Sequence, residues 1–277
     1  MFQMVRKDFV ILLKAGPEDS EPDAYQAHLT SLGFSVELVP VIVFTFVNSE
    51  ELRQKLAESE QYGALVLTSK RAVDAVKLSA GGGMLEGERG GEAGCAGLAG
   101  WRNKRVYVVG EGTKTWACAQ LGLDTEMVRG EEAGKADTLA RFIVSDWGAS
   151  PTPQHPCDKI LFPKGNLAKD VLVNILTEND FVVDQVVSYE TVGNPKLESL
   201  LQCLDIPEYI VIFSPSGATA SLQILQTLYG PELDKVKIIA IGPTTEAEIV
   251  KLGFHVSGVV TKPNPANLGQ LLSGEKK

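Results

Sequence analysis

The chain of 277 residues repeats one order of structural signals, and this repetition limits its fold more than any other feature. In each copy an apolar run ends in hydroxyl side chains before a helical pattern. A second apolar run then ends in glycine and threonine before another helical pattern. The copies occupy residues 65–123 and 210–254. Strands that alternate with helices predict parallel sheets with right-handed crossovers. The duplication predicts two similar α/β domains, each built on a doubly wound parallel sheet.

The repetition also covers the parts of the chain that precede these two stretches. Residues 8–14 and 158–164 are apolar runs with similar sequences. Each is followed by a helical pattern and then by another extended run. Repetition alone therefore suggests a division near residue 150, within the proline-rich segment 150–156, which we interpret as a connector. The long extended runs at 39–46 and 186–192 are further candidates for segments that join the domains.

Particular residue types mark helix starts and loops. Either Ser214 or Ser216 is predicted to cap a helix with Pro215 in its first turn, and Asn166 is predicted to cap another helix. Residues 81–100 are rich in glycine and poor in large apolar side chains, so we predict a loop that buries no core.

Composition and charge exclude several classes of function. The net charge of −9 argues against nucleic acid, whose phosphates favour a basic surface. No apolar run approaches the roughly 18 residues that a membrane span needs, and no targeting signal is visible. The cysteines are scattered, which is typical of a reducing compartment, so we expect the cytosol. No histidines or cysteines stand at metal-ligand spacing, so no metal site is predicted.

Hydroxyl side chains at strand ends are the first candidates for a binding site. Thr68, Ser69, Ser214 and Thr244 each follow an apolar run and precede a helical pattern. A hydroxyl in that position lies near free backbone N–H groups and the positive end of a helix, which together bind carboxylate or phosphate. The alternative is that these residues only cap helices. Their occurrence at equivalent places in both copies favours a binding role for the set.

Three further residues are candidates from their places in the sequence. Tyr189 ends an extended run, so its phenol is either a proton donor in a cleft or a packing side chain. Lys14 and Arg71 follow strand ends, where they could meet anionic groups, although a charge in such a place is also common at a solvated surface. The lone G-x-G at Gly110 is too little for a nucleotide fingerprint.

The ordered motifs resemble the uroporphyrinogen-III synthase family, and they look closest to its animal cytosolic form. The resemblance extends over nearly the whole chain, from the strand that ends at Lys14 to the Pro-Asn-Pro sequence at residues 263–265. The residues that carry it are Leu67-Thr68-Ser69-Lys70-Arg71-Ala72-Val73, Tyr107-Val108-Val109-Gly110, Phe162-Pro163-Lys164-Gly165-Asn166, Tyr189-Glu190-Thr191-Val192, Phe213-Ser214-Pro215-Ser216-Gly217 and Ile241-Gly242-Pro243-Thr244-Thr245.

The resemblance implies a domain organisation different from a division near residue 150. It places residues 1–40 and 194–277 in one discontinuous α/β domain and residues 47–186 in an inserted α/β domain. Residues 41–46 and 187–193 would form a two-stranded connector, with a cleft between the domains.

The resemblance also implies a reaction and a set of site residues. The substrate would be hydroxymethylbilane, which is cyclised with inversion of ring D to uroporphyrinogen III and water, with no cofactor. Tyr189 would be the catalytic acid. The substrate-binding residues would be Lys14, Thr68, Ser69, Arg71, Gly110, Thr113, Ser214, Ser216, Gly217, Gly242, Thr244 and Thr245. We expect a monomer that receives its substrate from hydroxymethylbilane synthase.

Two departures from the family pattern and two rival functions remain open at this point. Lys70 stands where animal relatives often have proline, and Lys164 stands where a neutral residue can occur. Each lysine either adds positive charge to the cleft or has no role there. The first rival is a non-catalytic two-lobed protein that binds an anionic metabolite. The second is a nucleotide-sugar transferase with two similar domains.

Overall fold

The computed structural model describes residues 5–16, 23–81, 96–148 and 158–274. The described chain packs into two compact units, and it passes from one to the other after Val43 and again after Thr191. The first unit therefore takes its residues from both ends of the described chain, and the second is continuous. The predicted connector at 150–156 and most of the predicted loop at 81–100 lie outside the described residues.

The first unit contains a five-stranded sheet among the described residues. Its strands are β1 (Arg6–Lys14), β2 (Ser35–Pro40), β9 (Pro207–Ile212), β10 (Lys237–Ile241) and β11 (Gly258–Val260). Its helices are α1 (Ala24–Ser31), α7 (Leu197–Gln202), α8 (Pro215–Tyr229), α9 (Pro243–Lys251) and α10 (Pro265–Gly274), with a short 3-10 helix at Gly230–Lys235. The strand order is β11-β10-β9-β1-β2.

The second unit carries a six-stranded sheet, again counted over the described part of the chain. Its strands are β3 (Ile42–Phe46), β4 (Ala64–Leu67), β5 (Arg105–Val108), β6 (Val128–Arg129), β7 (Lys159–Gly165) and β8 (Val182–Gly193). Its helices are α2 (Ser49–Ala57), α3 (Lys70–Ser79), α4 (Glu111–Leu121), α5 (Ala136–Gly148) and α6 (Val171–Thr177), with 3-10 helices at Ser59–Gln61 and Ala96–Trp101. The order is β3-β8-β7-β4-β5-β6.

Both sheets are buried on both faces, which explains their nearly continuous apolar strands. In β4, Leu65 and Leu67 pack into one cluster, while Ala64 and Val66 pack into the cluster on the opposite face. Strand β1 alternates in the same way between two clusters of the first unit. Most paired strands run parallel, for example β1 with β9 and β4 with β5. The predicted fold class of two α/β units with parallel sheets is confirmed, and the cleft between them stays a prediction.

The two sheets share one strand order, but the sequence repeats are divided between them. The order β10-β9-β1-β2 corresponds to β5-β4-β7-β8, so the opening strands of each sequence copy pair with the later strands of the other copy. Strand β1 pairs with β9, and β7 pairs with β4. The division near residue 150 suggested by repetition alone is therefore not the division of the folded chain.

The end of the glycine-rich segment differs from the predicted loop. Residues 96–101 form a 3-10 helix. Leu98 and Trp101 are buried in a core cluster of the second unit. The Trp101 indole donates a hydrogen bond of 2.8 Å to the Leu56 carbonyl oxygen. Two large apolar side chains at the end of the segment are therefore sufficient to attach it to the core.

Candidate active site

Each unit brings the ends of three adjacent parallel strands to one edge of its sheet. In the second unit these strands are β7, β4 and β5, which are followed by Asn166, Thr68 and Val109. In the first unit they are β1, β9 and β10. Ligands of open α/β sheets bind at the carboxyl ends of the strands. The predicted hydroxyl and glycine positions therefore lie at the edge where this fold places a ligand.

The second unit has a cavity of about 400 Å³ at this edge. Thr68, Ser69, Tyr189 and Thr191 supply its hydroxyl groups. The Tyr189 phenol oxygen lies 3.0 Å from the Ser69 hydroxyl, although 120 positions separate the two residues in the chain. The structure thus brings together the predicted catalytic tyrosine and two of the predicted binding residues.

The position of Tyr189 is set by the neighbouring strand end. Strand β8 pairs with β7 so that Tyr189 stands opposite Gly165. A Cβ atom at Gly165 would lie only 2.7 Å from the Tyr189 ring, so glycine is needed for the ring to occupy this place. A glycine at the end of an apolar strand was the sequence signal for this contact, which sequence reasoning missed.

Asn166 has a different role from the predicted one. Its backbone N–H donates to the Tyr189 carbonyl oxygen at 3.1 Å. Its side-chain oxygen accepts a hydrogen bond of 3.0 Å from the Thr191 N–H. Helix α6 instead begins after Asp170. The prediction that Asn166 caps a helix is therefore wrong, since its side chain is bound to β8 beyond Tyr189.

Helix α3 begins directly after Ser69. The Ser69 hydroxyl accepts a hydrogen bond from the Ala72 N–H at 3.2 Å, as an N-cap residue does. Ser69 therefore does cap a helix, which was the alternative to a binding role. Its hydroxyl also has a second contact, with the Tyr189 phenol oxygen. Arg71, in the first turn of α3, lies with its guanidinium 3.1 Å from the centre of the Phe44 ring.

Gly110 and Thr113 mark the start of helix α4. Gly110 is the N-cap and has a φ of 79°, which favours glycine over any other residue. Thr113 is buried, with 8% of its surface exposed, whereas Thr68 and Ser69 are half-buried. Neither residue lines the cavity at Tyr189.

The first unit repeats the capping arrangement at α8. The Ser214 hydroxyl accepts the Gly217 N–H at 3.1 Å and lies 3.1 Å from the Ser216 hydroxyl. The backbone angles of Ser214 are nearly the same as those of Ser69. Ser216 is exposed, whereas Gly217 is buried.

Helix α9 begins after Gly242, whose φ of 86° matches that of Gly110. Thr244 in its first turn is exposed, but Thr245 is only 1% exposed. The Lys14 ammonium is paired with the Asp23 carboxylate, and it lies 5.1 Å from the centre of the Phe213 ring. Thr244 is thus an accessible donor, while Lys14 already has a counter-charge.

The charges near these strand ends are largely paired. Lys164 binds Asp170 at 3.0 Å and Gln185 at 2.9 Å. Lys70 lies 5.6 Å from the centre of the Trp116 ring. The hydrogen bond from Lys114 lowers the pKa of Glu131 below its usual value. Several of the cationic side chains at this edge therefore already have partners within the protein.

Neither a metal-binding cluster nor a membrane-spanning helix is present in the described part of the chain. In residues 5–16, 23–81, 96–148 and 158–274, no group of three or more histidine, cysteine, aspartate or glutamate side chains could hold a metal ion. No helix within the same described ranges is long and apolar enough to cross a membrane.

Two parallel α/β sheets with hydroxyl-capped helices at their carboxyl edges, one of them beside a half-buried phenol, define a class of protein. This is the class of open α/β proteins, which bind ligands at the carboxyl ends of their strands.

The chain belongs to the uroporphyrinogen-III synthase family. The model of that family, HEM4, described as uroporphyrinogen-III synthase HemD, matches residues 23–270. Its activity is that of a cyclising lyase of tetrapyrrole and haem synthesis. The uroporphyrinogen-III synthase of Saccharomyces cerevisiae is 24% identical over 258 residues, covering 89% of each chain. That of Schizosaccharomyces pombe is 26% identical over 268 residues, covering 93% of each chain.

Solved structures of bacterial uroporphyrinogen-III synthases are also similar to this chain. The Helicobacter pylori structure has 18% identity and a TM-score of 0.49, covering 97% of this chain and 99% of the other. A mutant form from Thermus thermophilus has 18% identity and a TM-score of 0.47, covering 97% of each chain.

Proposed function

We propose that Tyr189 is the acid that starts the conversion of hydroxymethylbilane to uroporphyrinogen III in this protein. The terminal hydroxyl of the bilane is a poor leaving group, so a proton delivered to its oxygen lets it leave as water. The observation that carries this proposal is the Tyr189 phenol, which lines a cavity at the strand ends 3.0 Å from Ser69. A positioned acid of this kind contributes about 10²- to 10⁴-fold to a rate.

Control of geometry is the second part of the proposed function. The electrophile left after loss of water can close head to tail without help, and that closure gives the symmetrical isomer. Formation of uroporphyrinogen III requires that ring D be inverted, which proceeds through a spiro intermediate. A protein favours this course by holding the reacting atoms in one arrangement. Isomer ratio is therefore a more specific measure of its function than rate.

We propose that hydroxyl and backbone N–H donors at the helix starts bind the eight carboxylates of the bilane. The accessible hydroxyls of Thr68, Ser216 and Thr244 support this assignment best. Gly110 and Gly242 contribute through the positive φ that precedes each helix, and Gly217 through the N–H that holds the Ser214 hydroxyl. Arg71 and Lys14 add positive charge, although Lys14 already has Asp23 beside it. Because Thr113 and Thr245 are buried, we propose that they support the helix starts rather than contact the substrate directly.

We also propose a monomer in the cytosol that takes the bilane from hydroxymethylbilane synthase. The scattered cysteines support a reducing compartment, and Cys118 and Cys203 are free thiols. Direct supply of the substrate is supported by its tendency to cyclise spontaneously. Light scattering during size-exclusion chromatography, with and without the synthase, tests the mass and the association.

The test of the proposed acid is Tyr189→Phe with Tyr229→Phe as its matched control. Freshly made hydroxymethylbilane is supplied, and type I and type III products are separated by chromatography. We expect Tyr189→Phe to lower kcat by about 10²-fold or more without loss of folding. The Tyr229 hydroxyl is buried and has no hydrogen-bond partner among the described residues, so its loss should leave kcat unchanged. Near-normal type III formation by Tyr189→Phe would rule out the acid role.

A further inference from the structure

We propose that Ser69 is a positioning residue for Tyr189, donating its hydroxyl hydrogen to the phenolate that forms when Tyr189 gives up its proton. This inference rests on the proposed function, and it changes the part of Ser69 from a carboxylate ligand to a partner of the acid.

Two contacts of the Ser69 oxygen carry the inference. The oxygen accepts the Ala72 N–H at 3.2 Å and lies 3.0 Å from the Tyr189 oxygen. The first contact fixes the side chain at the start of α3, because an N-cap hydroxyl is held by the helix backbone. The Ser69 hydroxyl therefore meets the Tyr189 oxygen from a fixed position. Gly165 leaves the room in which the Tyr189 ring approaches it.

The direction of the hydrogen bond follows from the reaction. As Tyr189 donates its only O–H hydrogen to the substrate, its oxygen can act towards Ser69 solely as an acceptor. Ser69 keeps its own hydrogen, since its contact with Ala72 uses an acceptor site of the oxygen. A hydroxyl that donates to an anion makes a stronger hydrogen bond than one that donates to a neutral group.

The proton step balances without any other reactant. The Tyr189 O–H bond breaks, its hydrogen forms an O–H bond with the leaving hydroxyl, and the C–O bond breaks with its electron pair going to water. After ring closure, a pyrrole carbon loses a proton to restore aromaticity, and this proton returns to the phenolate. Ser69 keeps its own proton throughout and only changes the strength of its hydrogen bond.

The start of helix α3 beside Ser69 carries no negatively charged side chain in its first turn. That turn contains Lys70 and Arg71 instead. The N-terminus of a helix carries a partial positive charge, which stabilises an anion nearby. The equivalent serine of the first unit, Ser214, has the same cap contact, but its second contact is with Ser216. Capping alone therefore does not account for the second contact of Ser69.

The experiment compares Ser69→Gly and Ser69→Thr in the intact protein. Glycine is tolerated at an N-cap at a small cost in stability and removes the hydroxyl, whereas threonine keeps it. We expect Ser69→Gly to lower kcat by about tenfold with KM changed less than about twofold, because a bond that strengthens only in the transition state affects kcat. Ser69→Thr should restore most of the rate. Ser214→Gly, measured only by thermal unfolding, gives the effect of losing a cap.

A double-mutant cycle decides whether Ser69 acts through Tyr189. In the Tyr189→Phe background, Ser69→Gly should have no further effect on kcat. A raised KM with unchanged kcat would overturn the inference and return Ser69 to carboxylate binding. An equal loss of kcat in both backgrounds would also overturn it, while leaving the acid role of Tyr189 intact. Failure of the proposed function is seen separately, as normal turnover of Tyr189→Phe alone.

Discussion

Substitution of Gly165 by alanine tests whether the position of the Tyr189 ring controls catalysis. An alanine Cβ would lie 2.7 Å from two ring carbons of Tyr189 and 2.9 Å from its phenol oxygen. The ring must therefore move by roughly 1 Å to reach an ordinary van der Waals separation. A displacement of that size breaks the alignment of the phenol with Ser69 and with the substrate.

The expected effect of Gly165→Ala can be given a magnitude. A misplacement of about 1 Å near a reacting group costs about 10²-fold in rate, or about 2.7 kcal/mol of transition-state stabilisation. Tyr189 is only partly buried, so the ring can yield and the protein should still fold. We expect kcat for type III product to fall by about that factor, with a small decrease in melting temperature.

The assay is type III formation from fresh hydroxymethylbilane, combined with thermal unfolding of each variant. Gly193→Ala is the matched control, because Gly193 also lies in a strand and an added Cβ there meets nothing within 4 Å. Gly193→Ala should retain full activity. If Gly165→Ala kept kcat within about twofold of the unmodified protein, the argument from ring position would be refuted.

Three further substitutions test the structure away from Tyr189. Burial opposes ionisation of Asp184, but hydrogen bonds from Lys55, Tyr62 and Lys159 outweigh it and hold its pKa below the usual value. Its contribution to stability is therefore present above about pH 4 and is lost as pH falls through the lower folded-state pKa. Asp184→Asn should lower the free energy of unfolding at pH 7 by about 2 kcal/mol in urea titrations, and this free energy should then fall less as the pH is lowered. An unchanged dependence of the free energy of unfolding on acidic pH would contradict this. Gly242→Ala forces a methyl-bearing residue to a φ of 86° and should cost about 1 kcal/mol, whereas an unchanged melting temperature would show that this backbone angle is not required. Trp101→Phe leaves the buried Leu56 carbonyl without its donor and should cost about 1–3 kcal/mol in the same unfolding assay, and a neutral result would show that the hydrogen bond is replaced.

Part of the candidate site could be predicted from local sequence because it depends on local physics. Ser69 and Ser214 stand at the junction of an apolar run and a helical pattern, and both cap helices as that pattern predicts. Gly110 and Gly242 precede helices at equivalent places, and both adopt positive φ. These features involve residues only a few positions apart, so the sequence contains all the groups concerned.

The parts that could not be predicted depend on long-range contacts. Gly165 contacts Tyr189 across the pairing of β7 and β8, and a strand glycine by itself does not indicate what approaches it. Asn166 resembled a helix cap because asparagine is common there, but its side chain is engaged by the Thr191 N–H of β8. The ion pair of Lys14 with Asp23 was also not predicted, because it requires that β1 and the start of α1 lie side by side.

The sequence by itself determined that the chain forms alternating strands and helices in two similar sets, with hydroxyls and glycines at the strand ends. Apolar runs, helix caps and turn glycines act over a few residues, which is why they are visible in the sequence. Only the tertiary structure decided that β1 pairs with β9 and β7 with β4, and that Tyr189 meets Ser69 across 120 positions. One apolar parallel strand is chemically much like another, so the choice of partner depends on how whole units pack.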